Sequence, residues 1–168
     1  MVNTFIVAGI IDGYFDHVRD IVIHPDFIQL DDYTQHLGTS RLEHSFHVSV
    51  IAWKLAQVLG LDERLAARAG LLHDFCLYDF HNDATQKKCQ LVVHPFCAVE
   101  QSKKCFLLTR KEEKAIISHM FPLGPIPTTG EAWLITLADK ICAIGEFITG
   151  FNTVLHKRLF VRYIQRCR

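Results

Sequence analysis

The apolar spacing of this chain reads as a series of helices. Between about Val7 and Ile23, Ile10, Ile11, Tyr14, Phe15, Val18, Ile21 and Val22 recur at helical intervals. His24-Pro25 interrupts the pattern. A short second helix is predicted over Phe27 to Gln35, stopping at His36-Leu37-Gly38 with Gly38 as C-cap. Thr39 or Ser40 is placed to cap a helix from Arg41 to Leu59, where Val48, Ile51, Ala52, Leu55, Val58 and Leu59 keep the spacing. Gly60 ends it, and Asp62 caps a helix expected to reach about Cys76. A polar loop follows over about Asp79 to Val92, and Pro95 suits the first turn of a helix reaching about Leu107. Thr109 with Glu112 forms a capping-box pattern for a helix ending near His119. After a Pro/Gly-rich loop, Phe121 to Gly130, the strongly apolar stretch Glu131 to Phe147 is expected to be a central helix. Gly150 breaks it before a basic C-terminal helix. The expectation is an all-α fold, a compact single-domain bundle of about seven helices over residues 1–168 with its core at about 36–147.

Composition narrows the class. Apolar residues make up 49% and charged residues 21%, as in a folded globular domain. Basic and acidic residues both number 18, so charge alone argues neither for a nucleic-acid surface nor for a membrane surface. Six cysteines are present, but no Cys-x-x-Cys pair occurs and Met1 to Ile11 has no basic leader. Reduced thiols in a cytoplasmic protein are the expectation, and no apolar run approaches the ~18 residues that span a bilayer.

Ten histidines, laid on the helical map, change the picture. His44 lies early in one helix, His73-Asp74 at the end of another, His94 at a helix start and His119 at a helix end. Asp139 sits inside the most apolar helix, in Leu137-Ala138-Asp139-Lys140. A carboxylate there must be ion-paired, hydrogen-bonded, metal-bound or turned to solvent, because desolvating it alone costs several kcal/mol. Imidazole and carboxylate together suit Mn, Fe or Zn. Alone, Asp139 reads equally well as an ion-paired or exposed residue and each of the others reads more readily as a satisfied polar group; the case rests on the set.

The order His44, His73-Asp74, Asp139 on a helical chain resembles the HD-domain metal-dependent phosphohydrolase superfamily. The contexts Glu43-His44-Ser45, Leu71-Leu72-His73-Asp74 and Leu137-Ala138-Asp139-Lys140 carry the resemblance over about residues 36 to 147. His94 and His119 lie where the two-metal branch of the superfamily has two further histidines. Leu77-Tyr78-Asp79 and His119-Met120-Phe121-Pro122-Leu123 are similar to a bacterial subgroup of predicted HD hydrolases. The lysine and Gly-Tyr-Pro element of the cyclic-di-GMP-degrading subgroup are absent, Phe75-Cys76-Leu77-Tyr78-Asp79 standing there instead.

The resemblance implies six metal ligands: His44, His73, Asp74 and Asp139 on one ion, and His94 and His119 on a second that shares Asp74. Two divalent transition ions are expected, Fe, Mn or Zn with Mg also admissible. They would bring the pKa of a bridging water towards ~7, so that hydroxide attacks phosphorus. Asp74, Arg41 and Lys140 are the candidate catalytic residues; Arg41, His36, His47, Asp79 and Lys140 are candidates for substrate contact. Arg41 shares a helix face with His44 and could hold a phosphate bidentately or stay solvated. Lys140 lies ~100° around its helix from Asp139. The substrate is expected to be a small phosphorylated molecule, in particular a nucleotide, with no stable nucleic-acid partner. Two alternatives stay open: a mononuclear nucleoside monophosphatase, in which His94 and His119 grip substrate, and a non-catalytic nucleotide-binding module.

Overall fold

The computed structural model describes residues 4–36, 39–77 and 87–149. Helix α1 (Thr4–Val22) buries Tyr14, Phe15, Val18, Ile21 and Val22, the stripe its spacing predicts. His24 then caps a single turn, α2 (Pro25–Ile28), its Nδ1 accepting from the Asp26 amide. The helix predicted to continue to Gln35 instead tightens into a 3₁₀ turn, Gln29–Asp32, and straightens into strand β1 (Thr34–His36). Strand β1 pairs antiparallel with β2 (Thr39–Ser40) across an irregular register. The change has a local cause: the Tyr33 carbonyl accepts the Arg41 amide at 2.7 Å, a bond that continued helix would forbid. The proposed Gly38 cap lies outside the described residues.

Ser40, not Thr39, caps α3 (Arg41–Leu59), with Glu43 completing a reciprocal capping box. Gly60 closes the helix at φ +66°, a conformation other residues resist. Asp62 caps α4 (Glu63–Leu72), which packs antiparallel to α3 as a helical hairpin. The two backbones nearly touch at Gly70: a Cβ there would lie 2.7 Å from the Ser49 Cα. Ser49 Oγ donates to the Ala67 carbonyl at 2.6 Å and meets the Tyr14 hydroxyl at 2.7 Å, joining α1, α3 and α4. Helix α4 stops at Leu72, short of the predicted Cys76, so His73-Asp74 projects just beyond its end.

Helix α5 (Lys87–Cys105) starts inside the stretch read as polar loop, and Pro95 and His94 lie in its interior rather than its first turn. Pro95 forgoes one backbone hydrogen bond. Burial of His94, Pro95, Ala98 and Val99 on one face holds the helix through it. Helix α6 (Arg110–Ser118) has the Thr109–Glu112 capping box. Helix α7 (Gly130–Thr149) buries Ala132, Ile135, Ala138 and Cys142 but leaves Trp133, Leu137, Ile141 and Ile144 exposed among the described residues, so only one of its faces is core. Seven helices and one two-stranded ribbon make the described fold all-α, as expected. No helix among the described residues is long and apolar enough to cross a membrane. Cys76, Cys97, Cys105 and Cys142 form no disulfide among the described residues. The proposed C-terminal helix lies outside the described residues.

Candidate metal centre

Three helices and two helix ends deliver the six side chains to one cluster. His44 comes from the second turn of α3, His73 and Asp74 from the end of α4, His94 from mid-α5, His119 from the end of α6 and Asp139 from mid-α7. His44, His73, Asp74, His94 and His119 are buried, and the Asp139 side chain keeps 14% of its surface open. The ligating atoms of His44, His73 and Asp139 lie within 4.8 Å of one another, as do those of His73, Asp74 and His119.

The Asp74 carboxylate stands between two halves of this cluster. Its Oδ2 is 3.4 Å from His73 Nε2, while its Oδ1 is 3.2 Å from His94 Nε2 and 3.6 Å from His119 Nε2. Asp139 Oδ1 lies 3.1 Å from His44 Nε2 and 3.8 Å from His73 Nε2. His94 and His119 bring their Nε2 atoms within 2.9 Å. Two donors held at about 2.1 Å by one ion sit about 3.0 Å apart at a right angle and about 3.4 Å at a tetrahedral angle. The shorter of these spacings match donors that could share an ion.

The outer nitrogens of three rings are tied back. His73 Nδ1 donates to the Gly70 carbonyl at 2.8 Å and His119 Nδ1 to the Ile116 carbonyl at 2.7 Å. His44 Nδ1 is held by Glu146, 3.0 and 3.2 Å from its two oxygens. A carbonyl can only accept, so the proton of His73 and of His119 sits on Nδ1 and each Nε2 turns a lone pair inward. Among the described residues, His73 Nε2 and Asp74 Oδ1 are buried without a hydrogen-bond partner. An orphaned lone pair beside an orphaned carboxylate oxygen is costly in a dry interior and is relieved by a cation. The donor set fits divalent metal.

Electrostatics agree. Burial opposes a charge on His44, but the Asp139 and Glu146 carboxylates outweigh it and push its pKa up to about 10. A proton there does part of what a cation would do. Burial likewise opposes the charge on Asp74 and Asp139, yet the surrounding histidines hold both carboxyls below the usual range. Burial, joined by the neighbouring His73 ring, pulls His119 down to about 4 and keeps it a neutral lone-pair donor.

The other candidates fall outside the cluster in different ways. Lys140 reaches round its helix so that Nζ lies 3.3 Å from Asp139 Oδ2 and 3.4 Å from the His119 carbonyl, at the open rim. His47 approaches Glu146 at 3.8 Å rather than the cluster. Arg41 is fully buried and donates to Gln35 and to the Cys76 carbonyl. His36 lies in β1, and Asp79 lies outside the described residues. Two residues were missed by the sequence reading. Glu146 stands seven residues after Asp139 on the same helix face, a signal that was present. Gln35, which donates to Asp74 Oδ2 at 2.6 Å, had none. Beside Glu146 a cavity of about 220 Å³ is lined by His47, Val50, Ile51, Ile141 and Cys142, giving room for a non-polar part of a ligand.

A helical bundle converging four histidines and two aspartates on one buried point has the construction of a metal-dependent hydrolase. The HD domain pattern matches residues 41–144, so the chain belongs to the HD domain family and thereby to the metal-dependent phosphohydrolase superfamily. The chain is 35% identical over 127 residues to the Ribonuclease Y of Alkaliphilus metalliredigens (strain QYMF), a match covering 72% of this chain and 24% of that protein. It is 47% identical over 55 residues to the Ribonuclease Y of Clostridium perfringens (strain SM101 / Type A), covering 31% of this chain and 11% of that protein. The matches thus span only a quarter or less of these relatives. No solved structure gives a significant match.

Proposed function

We propose that this chain hydrolyses a phosphate ester or anhydride bond of a nucleotide at a two-metal centre held by His44, His73, Asp74, His94, His119 and Asp139. The observation that carries this reading is the split of the Asp74 carboxylate, one oxygen facing His73 and the other facing His94 and His119. A bridging ligand has to present itself in that way. When bound, the ions would supply a water of lowered pKa as nucleophile and neutralise charge on the phosphate. The chain's own residues do the rest. His73 and His119 are fixed as inward lone-pair donors by backbone carbonyls, and His44 is oriented by Glu146. Lys140, 41% exposed beside Asp139, is the cation placed to meet an incoming phosphate. The shell of buried side chains excludes bulk water, which strengthens each of these electrostatic contacts.

The likeness to proteins named Ribonuclease Y favours a second reading, in which the bond is a phosphodiester of RNA. The chemistry at phosphorus is the same, but the matched region is a minor part of those proteins, and the balanced charge of this chain supports a small substrate. Phosphate and nucleotide release should be measured with Mn-loaded protein on nucleoside mono-, di- and triphosphates, dinucleoside polyphosphates and a short oligoribonucleotide. Turnover of the nucleotides is expected. Cleavage of the oligoribonucleotide alone would favour the second reading, and no turnover of any substrate would leave a non-catalytic binding module.

A further inference from the structure

Arg41 opens α3 one turn before His44, where its spacing suggests a reach towards a phosphate. Its side chain goes elsewhere. It is fully buried, its guanidinium lies 5.1 Å from the centroid of the Tyr33 ring, and Nη1 donates to the Cys76 carbonyl. Its Nε donates to Gln35 Oε1 at 3.1 Å. Guanidinium can only donate, so the Gln35 oxygen must face Arg41 and the Gln35 amide nitrogen must face the other way. There Nε2 donates to Asp74 Oδ2 at 2.6 Å. The amide orientation is thus dictated from both ends, by a donor-only cation and an acceptor-only carboxylate.

We infer that Arg41 and Gln35 are positioning residues that set the rotation of the Asp74 carboxylate between the two halves of the cluster, and that Arg41 is not a phosphate clamp. The inference rests on the metal-centre reading. A carboxylate rotates softly about its last torsion. A bridging ligand must keep one oxygen on each side, and the short Gln35 bond removes that freedom. Gln35 is itself a flexible side chain in a two-stranded ribbon, and Arg41 holds it there. Through Cys76 the same guanidinium also fixes the main chain two residues past Asp74. The cost of burying this charge is offset in part by two carbonyl oxygens and the face of Tyr33. A lysine, a single point charge without the fork, cannot make both contacts.

Calorimetric titration of Mn²⁺ into the full metal-free chain tests this. Gln35→Leu removes the amide but not the fold of a half-buried position, and is expected to weaken Mn²⁺ binding by about 10- to 100-fold, the usual range for groups that orient a ligand. Arg41→Lys is expected to fall in the same range, yet to add less than about twofold in the Gln35→Leu background, because it acts through Gln35. An Arg41→Lys chain that binds Mn²⁺ as the parent does but binds inorganic phosphate more weakly would overturn the inference in favour of a clamp. Circular dichroism accompanies each variant. Should Arg41→Lys not fold, Gln35→Glu carries the test, since it accepts from Arg41 but has no N–H for Asp74; parental affinity in both Gln35 variants would overturn the inference alone. A parent chain that takes up no Mn²⁺ would overturn it together with the metal centre. Parent binding with the expected losses but no hydrolysis would sink only the hydrolase reading.

Discussion

The buried charges around Arg68 and those around Asp74 are finished differently. Arg68, in α4, donates to Asp20 at 2.6 Å, to Glu112 at 3.2 Å and to the His17 carbonyl at 3.1 Å, tying α1, α4 and α6 together. Glu112 spends its other oxygen on the Thr109 cap. Fewer than ten residues along the chain, at the end of the same helix, His73 and Asp74 keep a ring nitrogen and a carboxylate oxygen buried without hydrogen-bond partners among the described residues. The Arg68 group is complete and holds the fold. The cluster is left with unsatisfied atoms, and bound cations would satisfy them.

Substitution at Asp74 should separate the two groups most clearly. Asp74→Ala is expected to lower turnover by on the order of 10³-fold or more, as removal of a group central to the reaction does, while the metal-free fold holds, because a buried carboxylate with an orphaned oxygen is gone. Turnover assays with circular dichroism check this, and full turnover in folded protein would contradict it. Arg68→Met should do the reverse. It strands the buried Glu112 and is expected to cost about 3–5 kcal/mol in urea unfolding, with metal bound per folded chain unchanged. Glu146→Gln tests the support of His44. It keeps the shape but weakens the hold on Nδ1, and metal affinity by titration is expected to fall by about 10- to 100-fold.

The smallest effect is on pH dependence. In the metal-free chain His44 is raised to about 10, so it binds its proton more tightly folded than unfolded. Its contribution is full below the ordinary value of 6.5 and is lost as pH rises towards 10. His119 is lowered to about 4, so its contribution is full above 6.5 and is lost as pH falls towards 4. Thermal unfolding of metal-free protein is therefore expected to peak near the ordinary histidine value. A melting temperature that climbed steadily from pH 6.5 to 10 would contradict the assignment for His44.

Much of this could be read from the chain itself. Helical spacing and caps located α3, α4, α6 and α7, and those four elements carry His44, His73-Asp74, His119 and Asp139. The rest depended on contacts between distant segments. Pro95 signalled a helix start, but the buried stripe from His94 to Val99 outweighs the lost backbone bond, so α5 begins eight residues earlier, at Lys87. Residues Phe27 to Gln35 carry helical spacing, yet the Arg41 amide pulls Tyr33 into extended backbone. That puts Gln35 beside Asp74, a placement local pattern cannot express. Arg41 shows the same limit: its position on α3 was legible, but the direction of its side chain was set by Gln35, Cys76 and Tyr33.

Metal stoichiometry tests the central claim most directly. Elemental analysis of the folded chain after loading with Mn, Fe or Zn and removal of excess should give two equivalents per chain, falling in Asp74→Ala. A chain that retained none, or a single equivalent that no added metal could raise, would contradict the two-metal centre.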